Sequence, residues 1–166
     1  MAESARQSVT AYVAIGANLG DAQQTVLHAF DALALLSSTQ RMARSKIYRT
    51  APHEAQGPDF FNAVARIDTG LTAPDLLDAL QAIENQAGRL RPYVNAPRTL
   101  DLDLLFYGEA HVQSPRLNLP HPRWRDRAFV LFPLADVWPE RVNPEDLMRV
   151  AGQGIERLPE DPSGLA

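Results

Sequence analysis

Pro97-Arg98-Thr99-Leu100-Asp101-Leu102-Asp103-Leu104-Leu105-Phe106 is the stretch whose reading decides the fold. It reads as a β-strand. Side chains alternate faces along a strand, so Thr99, Asp101, Asp103 and Leu105 point one way and Leu100, Leu102, Leu104 and Phe106 the other. The second face is apolar and suits a core. The first sets two carboxylates side by side, with Cα atoms about 6.6 Å apart. Such a pair is costly without a counter-charge, because each carboxylate favours protonation of its neighbour. A hard cation resolves that cost. Mg²⁺ takes oxygen ligands, typically one or two protein carboxylates plus substrate phosphates, and the D-x-D spacing also suits two ions about 3.5–4 Å apart. The plainer alternative is an edge strand with a solvated outer face. Arg98, with Arg89 and Arg91 entering the same region, weighs against it, since guanidinium forks match phosphate oxygens bidentately.

Working outward, Ala11 to Gly16 reads as a buried strand and Gly16 to Gly20 as a turn. Asp21 with Gln24 three residues on forms a capping box for a helix running to about Leu36. Arg44 to Thr50 suggests a second strand. A Pro- and Gly-marked loop follows, then a third strand over Phe61 to Asp68 with Asn62 and Val64 on one face. Thr72-Ala73-Pro74-Asp75 opens a second helix with a cap, an early proline and an acidic first turn. After Phe106 come a short strand near Val112, a third helix over Asp126 to about Asp136 and a short fourth helix capped by Asn143. The order β-α-β-β-α-β predicts an α+β, ferredoxin-like core: an antiparallel sheet with helices on one face, plus C-terminal additions. One domain over residues 1–166 is expected, with 1–10 and about 158–166 loose.

Composition narrows the function. The chain has no cysteine, so disulfides, thiolate chemistry and cysteine-ligated metal are excluded. No apolar run approaches the roughly 18 residues of a membrane span, and the first ten residues lack a signal-peptide core. A soluble, cytoplasmic monomer with no membrane partner is the default expectation. A net charge of −4 argues against broad nucleic-acid binding. Of the sixteen Lys and Arg residues only Lys46 is a lysine. There is no G-x-x-x-x-G-K-[ST], so nucleotide chemistry here is not of the P-loop type.

Polar groups gather in three places: Arg89, Arg91, Arg98, Asp101 and Asp103; His121 with Arg127; and Asn62 with Phe60 and Phe129. A carboxylate pair with arginines and a histidine suits phosphoryl transfer, which is mostly positioning and charge stabilisation. Two aromatics beside an amide suit a flat heterocycle, stacked on its faces and hydrogen-bonded at its edge. Taken singly, each has a plainer reading. Phe60 and Phe129 read as core, His121 as a loop histidine, Gln81 and Glu84 as a solvated helix face, and Arg89 and Arg91 as partners of a helix dipole.

Five blocks together carry a resemblance. They are Tyr12-Val13-Ala14-Ile15-Gly16-Ala17-Asn18-Leu19-Gly20, Tyr48-Arg49-Thr50-Ala51-Pro52, Pro58-Asp59-Phe60-Phe61-Asn62-Ala63-Val64, Pro97 to Asp103, and Leu119-Pro120-His121 through Arg127-Ala128-Phe129. Over about residues 11–140 the chain resembles the 6-hydroxymethyl-7,8-dihydropterin pyrophosphokinases of folate biosynthesis. The resemblance implies transfer of pyrophosphate from ATP to the pterin hydroxymethyl group, with release of AMP. It implies that Asp101 and Asp103 hold two Mg²⁺ ions. Arg89, Arg91, Arg98, His121 and Arg127 would contact ATP phosphates, with Arg89, Arg98, Asp101 and Asp103 catalytic. Gln81, Glu84 and backbone near Leu104 and Leu117 would line the nucleotide site. Phe60 and Phe129 would sandwich the pterin, with Asn62 on its edge and backbone groups at Thr50, Ala51 and His53 assisting. Two other readings stand beside it. One is a relative with altered specificity or without turnover. The other is a ferredoxin-like binding module such as an RNA-binding sheet, which the net charge and the D-x-D face oppose.

Overall fold

Strand β1 (Val9–Ala17) is apolar on both faces because both faces are covered. The computed structural model of the chain describes residues 7–51, 58–88 and 100–159. Within these, β1 is followed by α1 (Ala22–Ala34), β2 (Thr39–Arg44), β3 (Tyr48–Thr50), β4 (Phe60–Thr69), α2 (Ala73–Gly88) and β5 (Asp101–Tyr107). Then come a small hairpin of β6 (Val112–Gln113) and β7 (Asn118–Leu119), α3 (Ala128–Val137), α4 (Pro144–Val150) and β8 (Ile155–Arg157). The main sheet runs β5-β1-β4-β3-β8, with β2 also paired to β4. Every pairing is antiparallel. The expected ferredoxin-like core is present.

Period-two alternation decides which residues face which layer. Ala11, Val13 and Ile15 of β1 join Ala63, Ala65 and Ile67 of β4 under α1 and α2, where Phe30, Leu33, Leu76 and Leu80 are almost fully buried. Truncating one of those leucines to alanine would cost about 2–5 kcal/mol. Tyr12, Ala14 and Val64 face the other way, against Val130, Leu131 and Leu134 of α3. The C-terminal additions thus cover the second face of the sheet. Asp21 caps α1 as its spacing predicts, its carboxylate accepting the Gln24 N–H at 3.3 Å. Asn143 caps α4 in the same manner at 2.9 Å.

Three local expectations change, and one strand is added. Phe106 does not share a face with Leu102 and Leu104. The register with β1 shifts between Tyr12↔Phe106 and Val13↔Leu104, so a bulge at Leu105 turns Phe106 toward α3. There it meets Trp124 and Trp138 edge-on, with ring centroids 5.1 and 5.2 Å away. The single strand expected over 44–50 is two. Ser45 interrupts it, donating its N–H to Val64 O and accepting the Val64 N–H on its hydroxyl, both at 2.9 Å. The third helix starts at Ala128, after a 3₁₀ turn over Trp124–Asp126, because Arg127 is extended (φ −123°, ψ 117°). Lastly, β8 pairs with β3 just before the expected loose tail, Thr50 lying opposite Ile155. Residues 160–166 lie outside the described residues. Among the described residues no helix is long and apolar enough to cross a membrane.

Candidate active site

The face of the sheet beneath α3 is not fully covered. At the end of β1 the packing stops short, and a cavity of about 670 Å³ opens between the sheet, the start of α3 and the turn after α4. That volume lies within the usual range of small-molecule sites. Its floor is the C-terminal end of β1, Ala14 to Gly16.

The register explains which side chains meet there. Gly16 lies opposite Asn62 of β4 on one side and opposite Asp101 of β5 on the other. Phe60 and Asn62 share the parity of Val64, so both face the α3 side. Thr50 at the end of β3 pairs with Phe60. Asn62 is only 4% exposed, and its Nδ2 donates to Thr50 Oγ1 at 2.9 Å. This bond fixes the amide orientation and commits one of its donors. Phe129, in the first turn of α3, forms the wall across from β3 and β4. Arg127 holds its guanidinium carbon 5.4 Å from the Phe129 ring centroid, a cation–π contact.

Asp101 and Asp103 stand on the same face at the rim, both exposed, with buried Leu102 between them. The β5 strand that carries them is braced from α2, where Glu84 Oε2 accepts the Leu102 N–H at 2.8 Å. Glu84 and Gln81 lie outside this cavity, as do Leu104, Leu117 and His121. Leu104 is buried in the α1/α2 core. The backbone of Leu117 is occupied by Ser114, its N–H donating to the hydroxyl and its carbonyl accepting from the Ser114 N–H, each at 3.0 Å. His121 lies close enough to Asp103 for their charges to interact. Its N–H donates to Leu105 O at 2.9 Å, and its Nδ1 accepts the Arg123 N–H at 3.2 Å. The second bond requires an unprotonated Nδ1 and leaves the ring proton on Nε2. Burial pushes the His121 pKa down; Asp103 opposes that shift, and Arg127 and Arg123 add to it.

The structure therefore brings together Thr50, Ala51, Phe60 and Asn62 with Asp101, Asp103, Arg127 and Phe129. His53, Arg89, Arg91 and Arg98 lie outside the described residues. Three wall residues escape sequence reasoning: Arg123, Asp126 and Gln153. The spacing of Arg123 between His121 and Arg127 was an available signal. For Gln153, on the 3₁₀ turn Ala151–Gln153, no local motif exists.

Among the described residues no three His, Cys, Asp or Glu side chains come together as a ready-made metal cage. Two exposed carboxylates on one strand face are a different kind of donor set. They fit a hard cation that keeps water and takes its remaining oxygens from a ligand. The arrangement pairs an acidic rim and a cationic wall with an aromatic slot floored by an oriented amide. Such a space can hold a polyanion against a flat heterocycle.

The family model described as 7,8-dihydro-6-hydroxymethylpterin-pyrophosphokinase matches residues 12–139. A Pseudomonas aeruginosa protein named 2-amino-4-hydroxy-6-hydroxymethyldihydropteridine pyrophosphokinase is 46% identical over 155 residues, covering 89% of this chain and 96% of that protein. A folic acid synthesis protein of Dictyostelium discoideum is 35% identical over 134 residues, 80% of this chain and 20% of that protein. A crystal structure of wild-type Plasmodium falciparum HPPK-DHPS with pterin and p-hydroxybenzoate is similar at a TM-score of 0.69 and 13% identity, over 93% of this chain. This chain spans 47% of the length of that one, and the likeness is one of fold.

Proposed function

The chain belongs to the 7,8-dihydro-6-hydroxymethylpterin-pyrophosphokinase family, and we propose that it transfers pyrophosphate from ATP to the hydroxymethyl group of 6-hydroxymethyl-7,8-dihydropterin in folate synthesis. The hydroxymethyl oxygen bonds to the β-phosphorus of ATP. The bond from that phosphorus to the α–β bridging oxygen breaks, AMP leaves with the electron pair, and the hydroxyl proton is released. The reading pictures a monomer working on these two soluble substrates in the cytoplasm.

One observation carries it: the Asp101–Asp103 rim and the Phe60–Asn62–Phe129 slot open into one cavity. In this account Phe60 and Phe129 stack on the pterin and Asn62 reads its edge, with backbone at Thr50, Ala51 and His53 assisting. Arg127 and His121 meet phosphate oxygens, the latter through Nε2–H. Arg89, Arg91 and Arg98 serve the transferring phosphates, and Gln81, Glu84 and backbone near Leu104 and Leu117 border the nucleotide. Asp101 and Asp103 hold two Mg²⁺ ions, which supply neutralising charge for the polyphosphate when bound. Work by the protein itself is mainly orientation: an apolar slot that excludes water and fixes the hydroxymethyl group toward the rim.

Product analysis tests this. Protein, MgATP and the pterin should give AMP and pterin diphosphate in equal amounts, and EDTA should abolish both. ADP in place of AMP would mean that a different bond is cut. ATP binding without any product would favour a relative that has lost turnover.

A further inference from the structure

Helix α3 begins without a cap of its own. Arg127 occupies the N-cap position, and its side chain makes no capping hydrogen bond. The first N–H groups of a helix have no intrahelical acceptor, so a partner must come from elsewhere. Here it comes from Gln153, twenty-five residues downstream, whose Oε1 accepts the Ala128 N–H at 2.9 Å. The same amide donates through Nε2 to Asp126 O at 3.0 Å. The two bonds flank Arg127 and end one residue short of Phe129.

Gln153 is itself exposed, but the chain on either side of it is anchored. Val150, the last residue of α4, is 1% exposed in the core beneath α3. On the other side β8 pairs with β3, the strand that ends at Thr50. A second latch runs from α4: Arg149 Nη2 donates to Arg125 O at 2.9 Å, and its Nη1 lies 3.4 Å from Asp126 Oδ1. The segment from α4 to β8 thus ties the start of α3 to the opposite wall of the cavity. It lies beyond the match to the family model, which ends at residue 139.

We propose that Gln153 is a positioning residue for substrate binding, whose side-chain amide fixes the backbone carrying Arg127 and Phe129. It acts through those two side chains. The inference rests on the reading of Phe129 as a wall of the pterin slot.

The test is a double-mutant cycle on pterin affinity. Gln153→Met keeps the length of the side chain and removes both hydrogen bonds. It should weaken pterin binding about fivefold, as expected for the loss of about one net hydrogen bond. Gln153→Glu keeps an acceptor for the Ala128 N–H and should recover part of that loss. In a Phe129→Ala background the effect of Gln153→Met should shrink below about twofold, because the residue it positions is gone. An undiminished effect in that background would mean a general structural role and overturn the proposal. Unchanged pterin affinity in Gln153→Met, with Phe129→Ala weakened, would overturn it while sparing the slot. Unchanged affinity in Phe129→Ala would overturn the slot itself. Should Gln153→Met fail to fold, the same cycle with Gln153→Glu gives the answer.

Discussion

Gly16 of β1 and Asn62 of β4 approach so closely that a Cβ on the glycine would lie 3.1 Å from Asn62 Oδ1. Asn62 cannot swing away freely, since its Nδ2 is bonded to Thr50 Oγ1 and the residue is buried. Gly16→Ala therefore displaces the amide that the account puts at the pterin edge. Pterin binding should weaken about tenfold, the equivalent of one good hydrogen bond. Overpacking should cost about 1 kcal/mol of stability. Titration of the variant with pterin checks this, and unchanged affinity would remove Asn62 from the slot.

Asp101 and Asp103 are exposed, so solvent screens whatever contacts either carboxylate makes with the fold. Asp101→Asn and Asp103→Asn should each shift unfolding free energy by no more than about 1 kcal/mol. Turnover should fall by about 10²-fold or more, because charge stabilisation worth several kcal/mol is lost. Steady-state rates beside urea melts separate the two effects. Full activity in both variants would end the metal-ligand assignment.

Tyr48 joins the sheet to α3. Its hydroxyl donates to the Asp136 carboxylate at 3.0 and 3.1 Å, and Asp136 also accepts the Lys46 N–H at 3.0 Å. Burial first, and Asp136 second, hold the Tyr48 pKa above its usual value, so the phenol stays a donor across the working range. Tyr48→Phe should cost about 1.5–3 kcal/mol, the net value of a hydrogen bond to a charged group. Urea unfolding measures it. A loss near zero would show that water replaces the bond without penalty.

His121 should give stability a pH dependence of known sign. Its pKa in the folded protein is below the ordinary 6.5, chiefly through burial. Above pH 6.5 both folded and unfolded chains carry it neutral. As pH falls below 6.5 the unfolded chain takes the proton first, and stability drops until the folded pKa is passed. His121→Gln should flatten that part of the curve. Unfolding free energies at pH 7.5 and 5.5 check this, and equal slopes in variant and wild type would contradict it.

What the sequence discloses and what it hides divide along physical lines. Alternation placed Asp101, Asp103 and Asn62 on their correct faces, because each lies on a strand paired on at least one side in regular register. It failed at Phe106, where a bulge adds one residue and reverses every face beyond it. Caps at Asp21 and Asn143 were legible because the partner lies two or three residues away. The Gln153 cap on Ala128 was not, since its partner is brought close only by the packing of α4. The split of β2 from β3 rests likewise on a contact between Ser45 and Val64 that spacing alone cannot reveal. Phe60 and Phe129 read singly as core residues, and only the unfilled end of the sheet makes them walls.

The most direct measurement follows the phosphorus atoms. The protein would be given the pterin and MgATP labelled with ³²P at the α, β or γ position in separate reactions. The account predicts that β and γ label both pass to the pterin product, while α label remains in AMP. Pterin product labelled from the γ position alone, with β label left in ADP, would contradict it.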